Sequence, residues 1–249
     1  MSGHSKWATT KHKKAATDKA RGELFAKLIR QVEVAAREGG GDLSANATLR
    51  TMYDKARAAS VPLDTIERAV KRGTGELEGV RYEAITYEGY GPGGIALIVE
   101  CLSDNRNRTG AEVRSLFSRN GGSMAEPGAV AWQFERKGVL SVPRSVPEED
   151  LLLAVADAGG DDVSDEEETW QVTTPPASLG AVRAALADAG IEVLSDEVVM
   201  LPTTTVAVDG EAEARRVLRL VEALEDHDDV QAVWSNFDIP DALLELVDA

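Results

Sequence analysis

The spacing of apolar residues changes near Gly73, and this change constrains the fold of the 249-residue chain most strongly. Before it, apolar residues recur every three or four positions, which is the period of a helix with one buried face. After it, short segments rich in Val, Ile and Tyr alternate with helical segments, a pattern typical of sheets covered by helices. The sequence therefore predicts an α+β protein with an all-helical N-terminal part.

Three helices are predicted in that N-terminal part. In the first, Leu24, Leu28 and Val32 share one face, as a buried stripe requires. The predicted helices span residues 21–38, 45–60 and 62–72. We expect them to form one domain, residues 21–78, preceded by a basic arm, residues 1–20.

The segment after residue 138 has the order strand, helix, strand, strand, helix, strand, which is the ferredoxin-like arrangement. Its predicted strands are 138–142, 162–165, 169–174 and 192–201. The region before it has two strands, a helix and a further strand at Ala129–Phe134, and it lacks a closing helix and strand. The C-terminal tail supplies both, with a helix at 211–224 and a strand at 230–235.

These patterns predict an N-terminal three-helix domain followed by two α/β-sandwich domains. The middle domain is expected to be discontinuous, with residues 79–135 plus 203–249, and the acidic ferredoxin-like domain, residues 136–202, is expected to be inserted into it. Three sequential domains are the alternative.

Charge is distributed unevenly along the chain, whose net charge is -16. Residues 1–72 hold 15 Lys/Arg against 8 Asp/Glu, and the rest, with 12 basic and 35 acidic residues, carries -23. A cationic segment on an acidic protein is typical of a surface for a polyanion, most often nucleic acid. The acid runs Asp161–Glu168 and Glu225–Asp229 are expected to be solvated and to repel phosphates.

Nucleic-acid contacts are predicted first on the basic N-terminal surface, where Lys and Arg neutralise phosphates and Trp7 can stack on an unpaired base. The candidate residues there are Lys6, Trp7, Lys11, His12, Lys13, Lys14, Lys19, Lys27, Arg30, Lys71 and Arg72. A solvated arm with no partner is the alternative for this segment.

A second candidate contact lies where a predicted strand leads into a helix. Its residues are Asn105, Arg106, Asn107 and Arg108, which can add hydrogen bonds to a phosphate at the exposed helix start. The alternative is purely structural: an Asp or Asn caps the helix, and the arginines pair with nearby acids.

Other kinds of site find little support in the sequence. Cys101 lies in an apolar segment and is expected to be a core residue, and the three histidines lack the spacing of a metal site. The glycine-rich segment Gly89–Gly94 lacks the Lys-Ser/Thr of a phosphate loop and is predicted to be a hairpin turn. We expect no cofactor, no small-molecule substrate, no membrane segment and no secretory signal, and a cytoplasmic location.

Seven segments of the chain resemble the YebC family. They run in order over nearly the full length and comprise Gly3–Trp7, Lys11–Ala16, Phe25–Arg30, Ile66–Gly75, Tyr87–Gly94, Ser103–Thr109 and Asn236–Asp238. The resemblance implies three domains, helical at the N-terminus, with neither enzymatic activity nor a cofactor. Family members are usually labelled probable transcriptional regulators that bind DNA. Mitochondrial relatives are translational activators of cytochrome c oxidase, and bacterial relatives have been linked to stalled ribosomes.

Among these functions, we favour a translation factor that binds ribosomal RNA through the basic surface, because a cationic arm with an interleaved Trp suits irregular RNA. A DNA-binding transcriptional regulator is the alternative. A further alternative is an interaction protein whose acidic domains bind basic proteins, and an enzyme comes last. A monomer is the favoured oligomeric state.

Overall fold

The computed structural model describes residues 18–166 and 168–248, and its elements follow the predicted change from helices to mixed sheet and helix. In chain order, the helices are α1 Asp18–Gly39, α2 Ala47–Ala58, α3 Leu63–Gly73, α4 Arg106–Arg119, α5 Glu148–Asp157, α6 Leu179–Asp188, α7 Glu211–Glu225 and α8 Asp241–Asp248. The strands are β1 Glu83–Tyr90, β2 Ala96–Ser103, β3 Ser123–Ala125, β4 Phe134–Pro143, β5 Asp162–Asp165, β6 Thr169–Thr174, β7 Ser195–Pro202, β8 Val206–Ala207, β9 Val230–Ser235 and β10 Phe237–Asp238. The predicted α+β class with N-terminal helices is confirmed.

The chain divides into two compact units. Of the described residues, the smaller unit comprises 132–166 and 168–205, and the larger unit comprises 18–131 and 206–248. Strands on both sides of the smaller unit share one sheet in the larger unit, because β2 and β9 pair in antiparallel orientation.

The N-terminal helices pack around a small apolar core, in which Val32, Leu49 and Ile66 are fully buried. Buried Asn46 joins two of them. Its Oδ1 caps α2 by accepting from the Leu49 N–H at 2.9 Å, and its Nδ2 donates to the Ala35 carbonyl of α1 at 2.8 Å. One amide side chain thus satisfies backbone groups at the end of α1 and the start of α2.

The contact between α1 and α3 is so close that it requires a glycine. A Cβ atom on Gly73 would lie 2.4 Å from the backbone oxygen of Glu33 and 2.7 Å from the Cβ of Ala36. Because real Cβ atoms do not approach a carbonyl oxygen so closely, a larger residue at this position would push the two helices apart.

The larger unit contains a four-stranded antiparallel sheet in the order β3-β1-β2-β9. One face packs on α4 and α7, and its core includes Val99, Phe117 and Leu220. The predicted hairpin between β1 and β2 is confirmed, with Tyr90 opposite Ala96 and a short 3₁₀ turn at Pro92–Gly94 between them. Gly93 and Gly94 have φ of 73° and 77°, values that few residues other than glycine adopt.

The smaller unit contains a second antiparallel sheet, in the order β5-β6-β4-β7. Helices α5 and α6 pack on it through buried Leu151 and Leu186, so the elements follow the order βαββαβ. The Arg144 guanidinium lies 3.6 Å from the centroid of the Trp170 ring, and the indole N–H donates to the Val146 carbonyl at 2.9 Å.

The strand predicted at Ala129–Phe134 is wrong. A 3₁₀ turn occupies Ala131–Gln133, and β4 begins only at Phe134. The cause is the buried carboxylate of Glu88, which accepts from the backbone N–H groups of Gly128, Val130 and Ala131 at 2.6–2.9 Å. Those donors bind a side chain and therefore form no ladder with a neighbouring strand.

Candidate nucleic-acid interface

The predicted arm residues Lys6, Trp7, Lys11, His12, Lys13 and Lys14 lie outside the described residues. Lys19 belongs to the first turn of α1, and its side chain is likewise outside the described part. The described structure therefore bears only on the remaining eight candidates, which lie in α1, α3 and the loop and first turn of α4.

Lys27 and Arg30 lie one turn apart on α1 and bond the last residue of α7 and the loop that follows it. The Lys27 ammonium donates to the Glu225 carbonyl, and the Arg30 guanidinium donates to the Asp228 carbonyl. Arg30 also bonds the Asp229 carboxylate at 3.1 Å and stacks over the Tyr82 ring at 5.5 Å. Both predicted contacts therefore have intramolecular partners.

Arg108, in the first turn of α4, bonds the same carboxylate. Its Nη2 donates to Asp229 Oδ2 at 2.7 Å and to Asp104 Oδ1 at 2.9 Å. Arg30 bonds the other oxygen of Asp229, so one carboxylate holds two arginines from elements far apart in sequence. The structure thus brings Arg30 and Arg108, two of the predicted site residues, to one acidic side chain.

A chain of hydroxyl groups leads to the same carboxylate. Thr109 Oγ1 donates to Asp229 Oδ2 at 2.6 Å, and it lies 2.6 Å from Ser103 Oγ. Because the Thr109 hydrogen is directed to the carboxylate, the Ser103 hydroxyl must donate to Thr109. Ser103 in turn accepts from the Asn105 backbone N–H at 2.9 Å, which links the start of α4 to Asp229.

The backbone of Asp229 is also fixed. Its carbonyl accepts from the Leu102 N–H at 2.8 Å, and its N–H donates to His227 Nδ1 at 3.0 Å. The other imidazole nitrogen, Nε2, lies 2.8 Å from a Glu112 carboxylate oxygen. Since Nδ1 accepts a hydrogen bond, the imidazole hydrogen is on Nε2, which donates a hydrogen bond to Glu112.

The electrostatics of this cluster keep its main charges ionised. Burial raises the pKa of the Asp229 carboxyl, but hydrogen bonds from Thr109 and Arg108 and the nearby arginine charges outweigh burial and hold that pKa below its ordinary value. The hydrogen bond to Asp229 correspondingly raises the pKa of Arg108. Asp229 and its two arginines form an ion network that extends from the buried carboxylate to the surface, and groups of the protein itself supply most of its hydrogen bonds.

Arg72 in α3 also has an intramolecular partner. Its Nε donates to Glu33 Oε2 at 2.9 Å, and Arg37 bonds the other oxygen of that buried carboxylate at 3.3 Å. Lys71 precedes Arg72 in the chain but is exposed, and within the described residues its side chain makes no ion pair. Of the two adjacent candidates, Lys71 is therefore the one open to a ligand.

The second predicted contact, Asn105–Arg108, likewise contains some residues with a structural role and some that are open to a ligand. Asn105 caps α4, because its Oδ1 accepts from the Arg108 N–H at 3.1 Å. Arg106 and Asn107 are exposed and form no side-chain hydrogen bond inside the described parts of the chain. The structural alternative thus accounts for Asn105 and Arg108, while Arg106 and Asn107 remain available to a phosphate.

The sequence predicts that the acid run Glu225–Asp229 is solvated, and for Asp229 this prediction is wrong. Only 3% of Asp229 is exposed, because it lies immediately before β9 and is bonded by side chains of α1 and α4. A β-bulge at Glu100–Cys101 shifts the ladder between β2 and β9 next to this residue. Sequence spacing carries no signal for the role of Asp229, since its arginine partners lie 121 and 199 residues away.

Other chemistry finds no support in the described residues. Cys101 is a buried core residue, as predicted, and burial together with Asp229 raises the pKa of its thiol to about 12. In residues 18–166 and 168–248, no group of His, Cys, Asp and Glu is placed to hold a metal ion. None of the helices described there combines the length and the hydropathy that a membrane span requires.

Two family models match the chain. One is described as the TACO1/YebC protein N-terminal domain and matches residues 5–76. The other is described as the TACO1/YebC second and third domain and matches residues 82–237. The boundary between the two matches falls after α3, where the helical part ends.

Similar proteins cover nearly the whole chain. A protein of Acidothermus cellulolyticus named "probable transcriptional regulatory protein" is 58% identical over 98% of this chain and 99% of its own length. One of Halothermothrix orenii with the same name is 52% identical over 98% of both chains. The crystal structure of a conserved hypothetical protein from Aquifex aeolicus matches with a TM-score of 0.80 at 44% identity, over 90% of this chain and 93% of the other.

Proposed function

Because the chain belongs to the TACO1/YebC family, as its seven segments predicted, we propose that it is a non-enzymatic regulator of gene expression that binds nucleic acid in the cytoplasm. The observation that carries this function is the charge of residues 1–72, which hold 15 Lys/Arg against 8 Asp/Glu in a chain of net charge -16. Such a segment attracts phosphates, whereas the acidic remainder repels them.

DNA is the nucleic acid that the comparisons favour. The relatives from Acidothermus cellulolyticus and Halothermothrix orenii are both named probable transcriptional regulatory proteins. This name fits the DNA-binding alternative better than the translation factor that we favoured from the sequence. Ribosomal RNA is the second candidate, because Trp7 between Lys6 and Lys11 suits stacking on an unpaired base.

The ligand contacts proposed from the described structure are few. Lys71, Arg106 and Asn107 are exposed and have side chains without partners in the described residues, so they can bind phosphate without breaking a contact. Lys27, Arg30, Arg72 and Arg108 would each have to leave an intramolecular partner first. The arm residues Lys11, Lys13 and Lys14 stay the principal proposed contacts.

The test is a salt titration of binding to a labelled DNA duplex and to a labelled RNA hairpin of equal charge. The triple variant K11A/K13A/K14A should bind more weakly and lower the slope of log K against log salt by about 2–3, at roughly 0.7–0.9 per lost phosphate contact. The control R136A/R183A/R216A removes the same charge outside residues 1–72, from exposed positions, and should leave the slope unchanged. Equal slopes in both variants would contradict binding through the arm.

The choice between DNA and RNA requires crosslinking in cells. Transcriptional regulation predicts that the wild-type chain crosslinks to promoter DNA, and that K11A/K13A/K14A loses those crosslinks. Recovery of ribosomal RNA instead would favour the second candidate. Recovery of neither would contradict both.

A further inference from the structure

Helix α5 of the smaller unit exposes two leucines. Leu153 is 69% exposed and Leu152 is 44% exposed, while Leu151 and Val155 on the opposite side of the helix are buried in the core. Exposed Ala156 lies one turn from Leu152 and Leu153, so the three apolar side chains are neighbours on the helix surface. Exposed Glu149 and Asp157 flank them, and we call these five residues the α5 face.

The acids of α5 are not neutralised by neighbouring cations. Within the described residues, none of Glu148, Glu149, Asp150 and Asp157 forms an ion pair. The smaller unit has 15 acidic and 4 basic residues. Three of these bases have acidic partners elsewhere in the unit, since Lys137 bonds Asp161, Arg144 bonds Asp165 and Arg183 pairs with Asp196.

Stabilisation of the α5 helix explains only some of its unpaired acids and does not explain its exposed leucines. Glu148, Glu149 and Asp150 lie in the first turn, where acids interact favourably with the helix dipole. Asp157 lies in the last turn, where a negative charge is unfavourable and where no basic residue compensates it. Leu153 contributes little to the core, because most of its side chain faces solvent.

We propose that the α5 face docks a cationic, amphipathic helical segment of a partner protein. The leucines would supply apolar area at the centre of the contact, and the acids around them would pair with Lys or Arg on the partner. A nucleic acid or an anionic membrane would be repelled by the same acids. A second copy of this face would bring like charges together.

The binding probe is a dye-labelled peptide of Leu and Lys that forms a helix with one apolar and one cationic face. It is titrated with the full-length chain, and binding is followed by fluorescence anisotropy. L153S should weaken binding roughly tenfold, which is the loss expected when a leucine side chain leaves an apolar contact. L194S is the matched control, because Leu194 is 52% exposed on the same unit but lies outside α5, and it should bind like the wild type. L152S, at the second leucine of the face, should weaken binding in the same direction as L153S.

A charge-matched pair of variants tests the two acids of the α5 face. E149Q/D157N should weaken binding and reduce its salt dependence, whereas D188N/E192Q, at exposed acids outside α5, should leave both nearly unchanged. Absence of peptide binding to the wild type, or equal losses for L153S and L194S, would overturn docking at α5. Tighter peptide binding by K11A/K13A/K14A would also overturn it in favour of the chain's own basic arm as occupant.

This docking site does not depend on the proposed nucleic-acid function. The same L153S protein should bind the labelled DNA duplex with wild-type affinity. A loss of peptide binding with unchanged DNA binding supports the docking site alone, and a failure of DNA binding in the wild type leaves the peptide result intact.

Discussion

Asp229 holds Arg108 through a hydrogen bond of 2.7 Å between Oδ2 and Nη2, while its other carboxylate oxygen accepts from Arg30. Through this one side chain, the loop immediately before β9 is joined to the first turn of α4 and to the middle of α1. Two arginines predicted to bind nucleic acid thus stabilise the fold, and the exposed neighbours of Arg108 are better placed to meet a ligand.

Replacing Asp229 should destabilise the protein strongly. D229N keeps the size of the side chain but removes the charge that two arginines and Thr109 share, and we expect a loss of about 2–3 kcal/mol in the free energy of unfolding. D104N is the matched control, because Asp104 also bonds Arg108 but is 41% exposed, and it should cost less than about 1 kcal/mol. Urea unfolding measures both, and equal losses would show that burial of Asp229 is not decisive.

The Asp229 carboxyl should also make the free energy of unfolding depend on pH in the acidic range. The pKa of Asp229 is lowered in the folded protein, so its contribution is fully present above the unfolded pKa of about 3.9 and is lost as the pH falls through the lower folded pKa. The stability difference between the wild type and D229N should therefore be constant near neutral pH and shrink below about pH 4. Urea unfolding of both proteins over this range measures it, and a difference that grew in acid would contradict the lowered pKa.

Gly73→Ala should weaken the helical part. The added methyl group would meet the Glu33 carbonyl at 2.4 Å, and forcing α1 and α3 apart should cost about 1–3 kcal/mol. Gly22→Ala is the control within α1, where nothing lies within 4 Å of the added atom, and it should leave stability unchanged or raise it by up to about 1 kcal/mol. Thermal unfolding followed by circular dichroism compares them. Similar melting temperatures for the two variants would contradict the close helix contact.

Loss of Arg106 should weaken DNA binding, whereas loss of Arg108 should lower the stability of the fold. R106A removes an exposed cation without a described partner, so DNA affinity should fall and the salt slope should decrease by about 0.7–0.9, while stability is unchanged. R108A breaks the bond to Asp229, so it should lower the free energy of unfolding, whereas R106A should not. Binding and urea unfolding of both variants provide the comparison. Equal binding losses without any loss of stability in R108A would contradict a structural role for Arg108.

Most regular elements were predictable because their signals are local. The strands at Asp162–Asp165, Thr169–Thr174 and Val230–Ser235 have the bounds that the sequence predicts, since alternation and flanking turn residues define them within a few positions. β3 was missed because its three residues are too few to show a period. The turn at Ala131–Gln133 was mistaken for a strand because its conformation depends on Glu88, more than 40 residues earlier.

The sequence predicted the positive charge of the candidate site, but it did not predict which of the candidate side chains already bind a partner within the protein. Composition located the cationic segment that contains Lys71, and the junction of a predicted strand and helix singled out Arg106, but the exposure of both side chains came from the structure. The bounds of the domains and the contacts of the arm stay predictions. The α+β class, the family and the separation of charge follow from the sequence alone, because periodicity, motifs and composition are properties of the chain. The pairing of Arg30 and Arg108 with Asp229 follows only from the tertiary structure, because residues 199 and 121 positions apart meet once α1, α4 and β9 have packed together.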